Sequence, residues 1–259
     1  LLESGAVTGR RKAVDRGRVT ASFCMGTQRL YDYIDGSDKF AFYPTEYVND
    51  PFVISKHPKM VAINVALEVD LTGQVCSDSL GTRFYSGIGG QVDFNRGASR
   101  APGGRAIIAL PSTTHDGRTR ISAQLSPGAG VVTTRGDVHY VVTEYGVAYL
   151  HGKSVQERAI ALISIAHPDH RAELLRKAIE YKYVRSEMQE VEGRIVVGPP
   201  ELKTSMLLDD GTQVNFRPVH PTDVPGMKDL LYALSQETLY YRFMAPMKQF
   251  SEKQIQDFV

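Results

Sequence analysis

The sequence predicts an α/β protein with an open, mostly parallel sheet flanked by helices. Two observations carry this. Apolar runs of strand length recur between residues 19 and 143, each bounded by Gly, Pro or polar clusters, and helical stretches fall between or after them. Runs this apolar suit strands buried on both faces, as in a parallel sheet covered by helices. Alternation of the two element types is the pattern of α/β architecture.

Taken in order, residues 19–24 read as a strand and residues 28–34 as a short helix. Residues 61–69 (Val-Ala-Ile-Asn-Val-Ala-Leu-Glu-Val) read as one long strand, 106–110 as the next and 139–143 as a fourth. Residues 154–166 form a helix. Ser154 is its N-cap, and Glu157 three residues on completes a capping-box pattern. Ile160, Ile163 and Ala166 then recur at helical spacing. His167-Pro-Asp stops that helix and starts another over 172–182. Composition changes near Ile195, where Ile-Val-Val-Gly-Pro-Pro reads as a linker that excludes helix. A turn at Leu207-Leu-Asp-Asp-Gly-Thr, a strand from Val214, and helices over 227–234 and 235–243 complete the chain. The division expected is a first domain over 1–194, a linker over 195–212 and a second unit over 213–259.

The chain has 259 residues, 42% hydrophobic and 23% charged, as a globular protein should. That length holds one large domain, or one domain and part of another. Thirty basic residues against 29 acidic ones leave a net charge of +1, with no general pull toward nucleic acid or anionic membrane. No apolar run approaches the ~20 residues that span a bilayer. The opening Leu-Leu-Glu-Ser-Gly has neither the charged nor the apolar region of a signal peptide and no initiator Met. A cytoplasmic chain whose start is missing is the expectation. Cys24 and Cys76 form no CxxC pair, so they read as reduced structural thiols. The seven histidines are scattered, and no metal site is expected.

The segment from Arg83 to Ala98 carries most of the chemistry. It places three glycines, Gly87, Gly89 and Gly90, within four positions. Glycines this close let backbone approach a ligand with no Cβ in the way, so that N–H groups converge on a phosphate or a developing oxyanion. A plain corner-turning loop is the alternative, and Gly87 in particular reads as a hinge. Gln91, Asp93 and Phe94 shape the floor of such a site or simply pack it. Glu144 directly follows an apolar strand, where ligands of α/β sheets bind; a helix-start carboxylate favoured by the dipole is the alternative. Asn64 is an amide in an apolar strand and must find partners, either a ligand or backbone. Glu68 reads as a structural carboxylate. Arg135 is expected to pair with Asp137 or a neighbour. Arg100, Arg105, Arg118 and Arg120 suit phosphates or solvated turns equally.

Five blocks then resemble one family in order. They are Tyr47-Val-Asn-Asp-Pro-Phe-Val-Ile, Ile63-Asn-Val-Ala-Leu-Glu-Val-Asp-Leu-Thr-Gly-Gln-Val-Cys-Ser, Gly87-Ile-Gly-Gly-Gln-Val-Asp-Phe, Ile108-Ala-Leu-Pro-Ser-Thr and Thr134-Arg-Gly-Asp-Val-His-Tyr-Val-Val-Thr-Glu-Tyr-Gly-Val-Ala. Residues 1 to about 190 are similar to the C-terminal half of the acetyl-CoA hydrolase/transferase family, near the 4-hydroxybutyrate and butyryl CoA-transferases. Residues 213–259, with Arg217-Pro-Val, Pro221-Thr-Asp and Ser235-Gln-Glu-Thr-Leu-Tyr-Tyr-Arg-Phe, resemble the truncated opening of an α+β GNAT acetyltransferase domain.

The first resemblance implies exchange of coenzyme A between an acyl-CoA and a small carboxylic acid through a glutamyl-CoA intermediate. It implies Gly89, Gly90, Glu144 and Asn64 as catalytic residues, and Gly87, Gly89, Gly90 and Gln91 as contacts to CoA or acetyl-CoA, with no metal. The nucleophilic glutamate of the family falls upstream of Leu1, so the chain alone is expected to be inactive. A homo-oligomer in acetate metabolism is implied. Acyl-CoA hydrolysis is one alternative. The other is a non-catalytic acyl-CoA-binding module that regulates the acetyltransferase.

Overall fold

The computed structural model describes residues 1–184, 204–216, 223–244 and 250. The chain opens with β1 (Val19–Ala21), α1 (Gln28–Ile34), β2 (Phe40–Phe42), α2 (Thr45–Val48) and α3 (Pro51–Ser55). Next come β3 (Val61–Val65), β4 (Glu68–Asp70), β5 (Val75–Cys76), β6 (Ser79–Leu80), β7 (Arg83–Phe84) and α4 (Gln91–Arg100). They are followed by β8 (Arg105–Ala109), β9 (Ile121–Ser122), β10 (Tyr140–Thr143), β11 (Gly146–Tyr149), α5 (Val155–Ser164) and α6 (Pro168–Glu180). A hairpin, β12 (Thr204–Leu207) and β13 (Gln213–Phe216), and two helices, α7 (Val224–Ala233) and α8 (Gln236–Phe243), end the described residues.

The main sheet has the order β11-β10-β8-β3. β3, β8 and β10 are parallel, and β11 returns antiparallel to β10. Alternation along the strands sorts side chains between two faces. On one face, Ala62, Ala106, Ile108, Val141 and Ala148 are buried. Ala62 and Ala106 meet Ala98 and Phe94 of α4, and the other three join the core closed by α5 and α6. On the opposite face Val61, Ile63, Val65, Val147 and Tyr149 are all exposed, Ile63 and Val65 by more than two thirds. The expectation of strands covered on both faces therefore fails for β3, and β11, which was not expected as a strand, is open on the same side. Among the described residues, the helices that close the sheet's core share one face.

The run over 61–69 is also not one strand. Its hydrogen bonding changes partner at Ala66 and Leu67. The Ala66 N–H donates to Ala109, whereas the Leu67 N–H donates to Cys76. β3 thus ends in the main sheet, and β4 begins a separate three-stranded sheet of order β5-β4-β9. Unbroken apolarity hid this break, because Val69, Leu71 and Val75 are as buried in the second sheet as Ala62 is in the first.

Local signals fared better. Ser154 caps α5 and forms the full box with Glu157, a device worth about 1 kcal/mol. The strand expected over 19–24 shortens to Val19–Ala21, and the helix expected from 172 begins at Pro168, behind an N-cap at His167. Arg135 does not pair with Asp137. Arg96 takes Asp137 in a two-pronged contact of 2.9 and 3.0 Å, while the Arg135 carbonyl accepts from Arg158. Glu68 accepts the Ser126 N–H at 3.0 Å, as a structural carboxylate would. Arg118 pairs with Asp116, and Arg120 donates to the Leu67 carbonyl. Cys24 and Cys76 are free thiols.

Thr204–Leu207 lies inside the segment read as linker and is a strand paired with β13. The turn expected at 207–212 joins the two. The Pro-rich stretch from Ile195, the Arg217-Pro-Val block and Pro221 lie outside the described residues. No described helix is long and apolar enough to cross a membrane, and among the described residues no three His, Cys, Asp or Glu side chains could hold a metal ion.

Candidate active site

The three parallel strands end together, at Val65, Ala109 and Thr143. This carboxyl edge is where α/β sheets receive ligands. Two of the segments leaving it are tied to each other. Ser112 follows β8 by three residues, and Glu144 is the first residue of the two-residue turn between β10 and β11. Glu144 is therefore not at a helix start. Ser112 donates its N–H to Glu144 Oε2 at 2.9 Å and its hydroxyl to Oε1 at 2.6 Å. The hydroxyl bond from Ser112 is the chief reason the Glu144 carboxyl sits below the usual carboxylate range. Partial desolvation opposes it, and His167 assists.

The glycine segment runs into the start of α4. Gly90 is the N-cap and supplies no side-chain cap. Gly89 has φ +64°, the left-handed region that favours glycine. Gly90 (φ −95°) is needed for a different reason. A Cβ there would stand 2.3 Å from Asn49 Nδ2. The first N–H groups of a helix have no partner within it. Here those of Gly89, Gly90, Gln91, Val92 and Asp93 meet no acceptor among the described residues. A cavity of about 650 Å³ lies against Gly89, Gly90 and Asp93 of this row, lined also by Asn49, Thr45 and Phe23 among others. Glu46, Asp50 and Asp93 also line it, and among the described residues no lysine or arginine does. The helix dipole and free amides thus supply the local positive potential, while the carboxylates disfavour a strongly anionic group deeper in the cavity.

Gln91 fixes this helix start to the sheet. Its Nε2 donates to the Val65 carbonyl at 3.2 Å and contacts Ser77 Oγ at 3.0 Å, and its Oε1 accepts from Thr133 at 2.7 Å. The carboxamide is spent on protein, so Gln91 anchors the loop with its side chain. The Asn64 amide meets a side chain rather than backbone. Its Nδ2 donates at 3.2 Å to Oδ1 of Asn95, which is fully buried on α4. Nδ2 of Asn95 has no partner among the described residues.

The structure therefore brings Gly89, Gly90, Gln91 and Asn64 together where α4 meets the end of β3. A Cβ added at Gly87 would meet open space; its carbonyl accepts from the Ser86 hydroxyl at 3.0 Å, and it does not line the cavity. Glu144 shares the sheet edge, two strands away, and is held by Ser112. Sequence reasoning missed Ser112, Asn95 and Asn49. Ser112 follows an apolar strand just as Glu144 does, and that position was the available signal. Nothing in sequence foretold that Asn95 would sit opposite Asn64.

Residues 26–178 match the family model of the acetyl-CoA hydrolase/transferase C-terminal domain. The succinyl-CoA:acetate/propanoyl-CoA:succinate CoA transferase of Fasciola hepatica is 51% identical over 182 residues, 70% of this chain and 38% of that protein. The 4-hydroxybutyrate coenzyme A transferase of Clostridium kluyveri is 49% identical over 176 residues, 68% of this chain and 41% of the relative. An acetyl-CoA hydrolase of Schizosaccharomyces pombe is more distant, at 32% over 156 residues, 56% of this chain and 28% of that protein. The crystal structure of RipA from Yersinia pestis superposes with a TM-score of 0.68 at 43% identity, covering 71% of this chain and 42% of that one. The chain spans about two fifths of the length of these CoA-transferases. On this match and these identities, the chain belongs to the acetyl-CoA hydrolase/transferase family, and residues 26–178 are its C-terminal domain.

Proposed function

We propose that this domain forms the thioester-facing wall of an acyl-CoA:carboxylate CoA-transferase. The observation that carries the proposal is the row of free amides at the start of α4 beside an open cavity. Preorganised N–H groups of this kind stabilise the oxyanion of acyl transfer. In the proposed sequence a glutamate carboxylate, supplied from outside these residues, attacks the acyl-CoA carbonyl. CoA thiolate leaves and an acyl-glutamyl anhydride remains. The thiolate then attacks the glutamyl carbonyl, the acid departs as carboxylate, and glutamyl-CoA is left. The incoming carboxylate reverses these steps and takes the CoA. Each step is easier than direct exchange. Gly89 and Gly90 hold the oxyanion through backbone, Asn64 stands by the sulfur, Gln91 fixes the loop, and Glu144 orients the reactants. CoA enters as substrate, and the route needs no metal.

The transferase reading is favoured over hydrolysis because the Fasciola hepatica and Clostridium kluyveri relatives near 50% identity are named as CoA transferases, whereas the acetyl-CoA hydrolase is 32% identical. The test is to supply the protein that carries this chain with acetyl-CoA and butyrate or succinate. Formation of the new CoA ester with release of acetate is expected. Release of free CoA at a rate indifferent to the added acid would assign hydrolysis instead.

For residues 213–259 we keep the proposal of a GNAT-like unit. β13, α7 and α8, with Leu231, Leu239 and Phe250 packed together, support it. Acetyl transfer from acetyl-CoA to an amine is the assay that separates it from a structural appendage.

A further inference from the structure

We propose that Ser112 is a positioning residue that holds the Glu144 carboxylate at the sheet edge as a fixed, ionised hydrogen-bond acceptor. The proposal rests on the reading of Glu144 as a site residue. β8 and β10 are neighbours and parallel, with Ala109 opposite Val142, so the segments after them leave the same edge. Ser112 has no exposed surface. From that position one residue engages both carboxylate oxygens, at 2.9 Å through its N–H and 2.6 Å through its hydroxyl. An N–H donor on one oxygen and a hydroxyl on the other suit the ionised, acceptor-only form of the carboxyl. Hydrogen bonds to an ionised acceptor are short and strong, and the hydroxyl distance fits that class.

The surrounding charged and titratable groups agree. His167, in the turn between α5 and α6, faces the carboxylate and favours its charge. Tyr145 lies edge-on to His167 at 5.4 Å, and Arg171 of α6 stands 5.6 Å from the Tyr145 ring while donating to the Ala166 carbonyl. A carboxylate pinned in this way is a poor proton donor. It works by accepting an N–H or O–H from the bound thioester or acid, and by setting where that donor lies. Its substrate partner is therefore a donor group, such as an amide of the pantetheine arm or the hydroxyl of a hydroxy acid, and not a second free carboxylate.

The test compares Ser112→Ala, Glu144→Gln and the double variant in the protein that carries this chain, with kcat/KM for CoA transfer followed from neutral to acid pH. Loss of the hydroxyl lets the Glu144 carboxyl rise toward its ordinary range. The acid limb of Ser112→Ala is then expected to move to higher pH, with about a tenfold loss at the acid end and recovery toward neutrality. Ser112→Thr, which keeps both donors, should restore the parent profile. Residues acting as one unit are not additive, so the double variant should be no slower than Glu144→Gln. A loss independent of pH and additive with Glu144→Gln would overturn the proposal and leave Glu144 in the site. Unaltered transfer by Glu144→Gln would remove Glu144 from the site, and this proposal with it.

Discussion

Gly90→Val is expected to abolish the proposed CoA transfer by the protein that carries this chain while the domain stays folded. The argument is steric. Even a single Cβ at position 90 would lie 2.3 Å from Asn49 Nδ2 and 3.1 Å from its Cγ. Either Asn49 is expelled into the cavity or the first turn of α4 shifts, and both displace the amides that the proposed oxyanion needs. Loss of one such donor costs about a hundredfold or more in rate. The rest of the helix is anchored independently, by Gln91 to β3 and by Phe94 and Ala98 in the small core under β3 and β8. Gly89→Ala is a milder case. Nothing stands within 4 Å of its added Cβ, but φ +64° strains any L side chain, by about 1–2 kcal/mol. Transfer rates read beside circular dichroism and thermal unfolding decide the matter. Parent-like turnover by Gly90→Val would remove the glycine bend from the mechanism.

Arg158→Met gives the largest expected loss of stability. Arg158 sits in the first turn of α5 and is buried. Its guanidinium donates to three backbone carbonyls, those of Arg135 at 2.8 Å, Thr72 at 3.2 Å and Lys153 at 3.2 Å. These belong to separate loops, so one side chain ties α5 to the turn after β4 and to the segment before β10. Gly73 makes room, since a Cβ there would approach Nη1 to 2.9 Å. Burial and the nearby Arg135 push the guanidinium pKa down, yet an arginine stays charged in proteins. Methionine fills much of the volume but leaves the carbonyls without a donor. The cost is about 3 kcal/mol, which for a chain of this size lowers the melting temperature by about 6–12 °C. A melting temperature within about 2 °C of the parent would show that water satisfies those carbonyls.

Much of this architecture was legible in the residues. The capping box at Ser154 and the strand–helix alternation are local signals, and they need no knowledge of what packs where. The break at Ala66 and Leu67 was not legible. It depends on which carbonyl each N–H meets, and the apolar composition is the same on either side. The exposed face of β3 was hidden for a related reason. Val61, Ile63 and Val65 look like core residues, and only the sheet order shows that β3 is an edge whose outer side lies open among the described residues. At the site, the glycines announced themselves through spacing, and Glu144 through its place after a strand. Ser112 and Asn95 did not, because each matters through a partner more than 30 residues away.

The bend over Gly89 and Gly90 is tested most directly by a crystal structure of the protein with a ketone analogue of acetyl-CoA, in which a methylene replaces the leaving sulfur. The carbonyl oxygen of the analogue is predicted within about 3 Å of N–H groups at the start of α4. An analogue seated elsewhere, with those amides facing only solvent, would contradict the account.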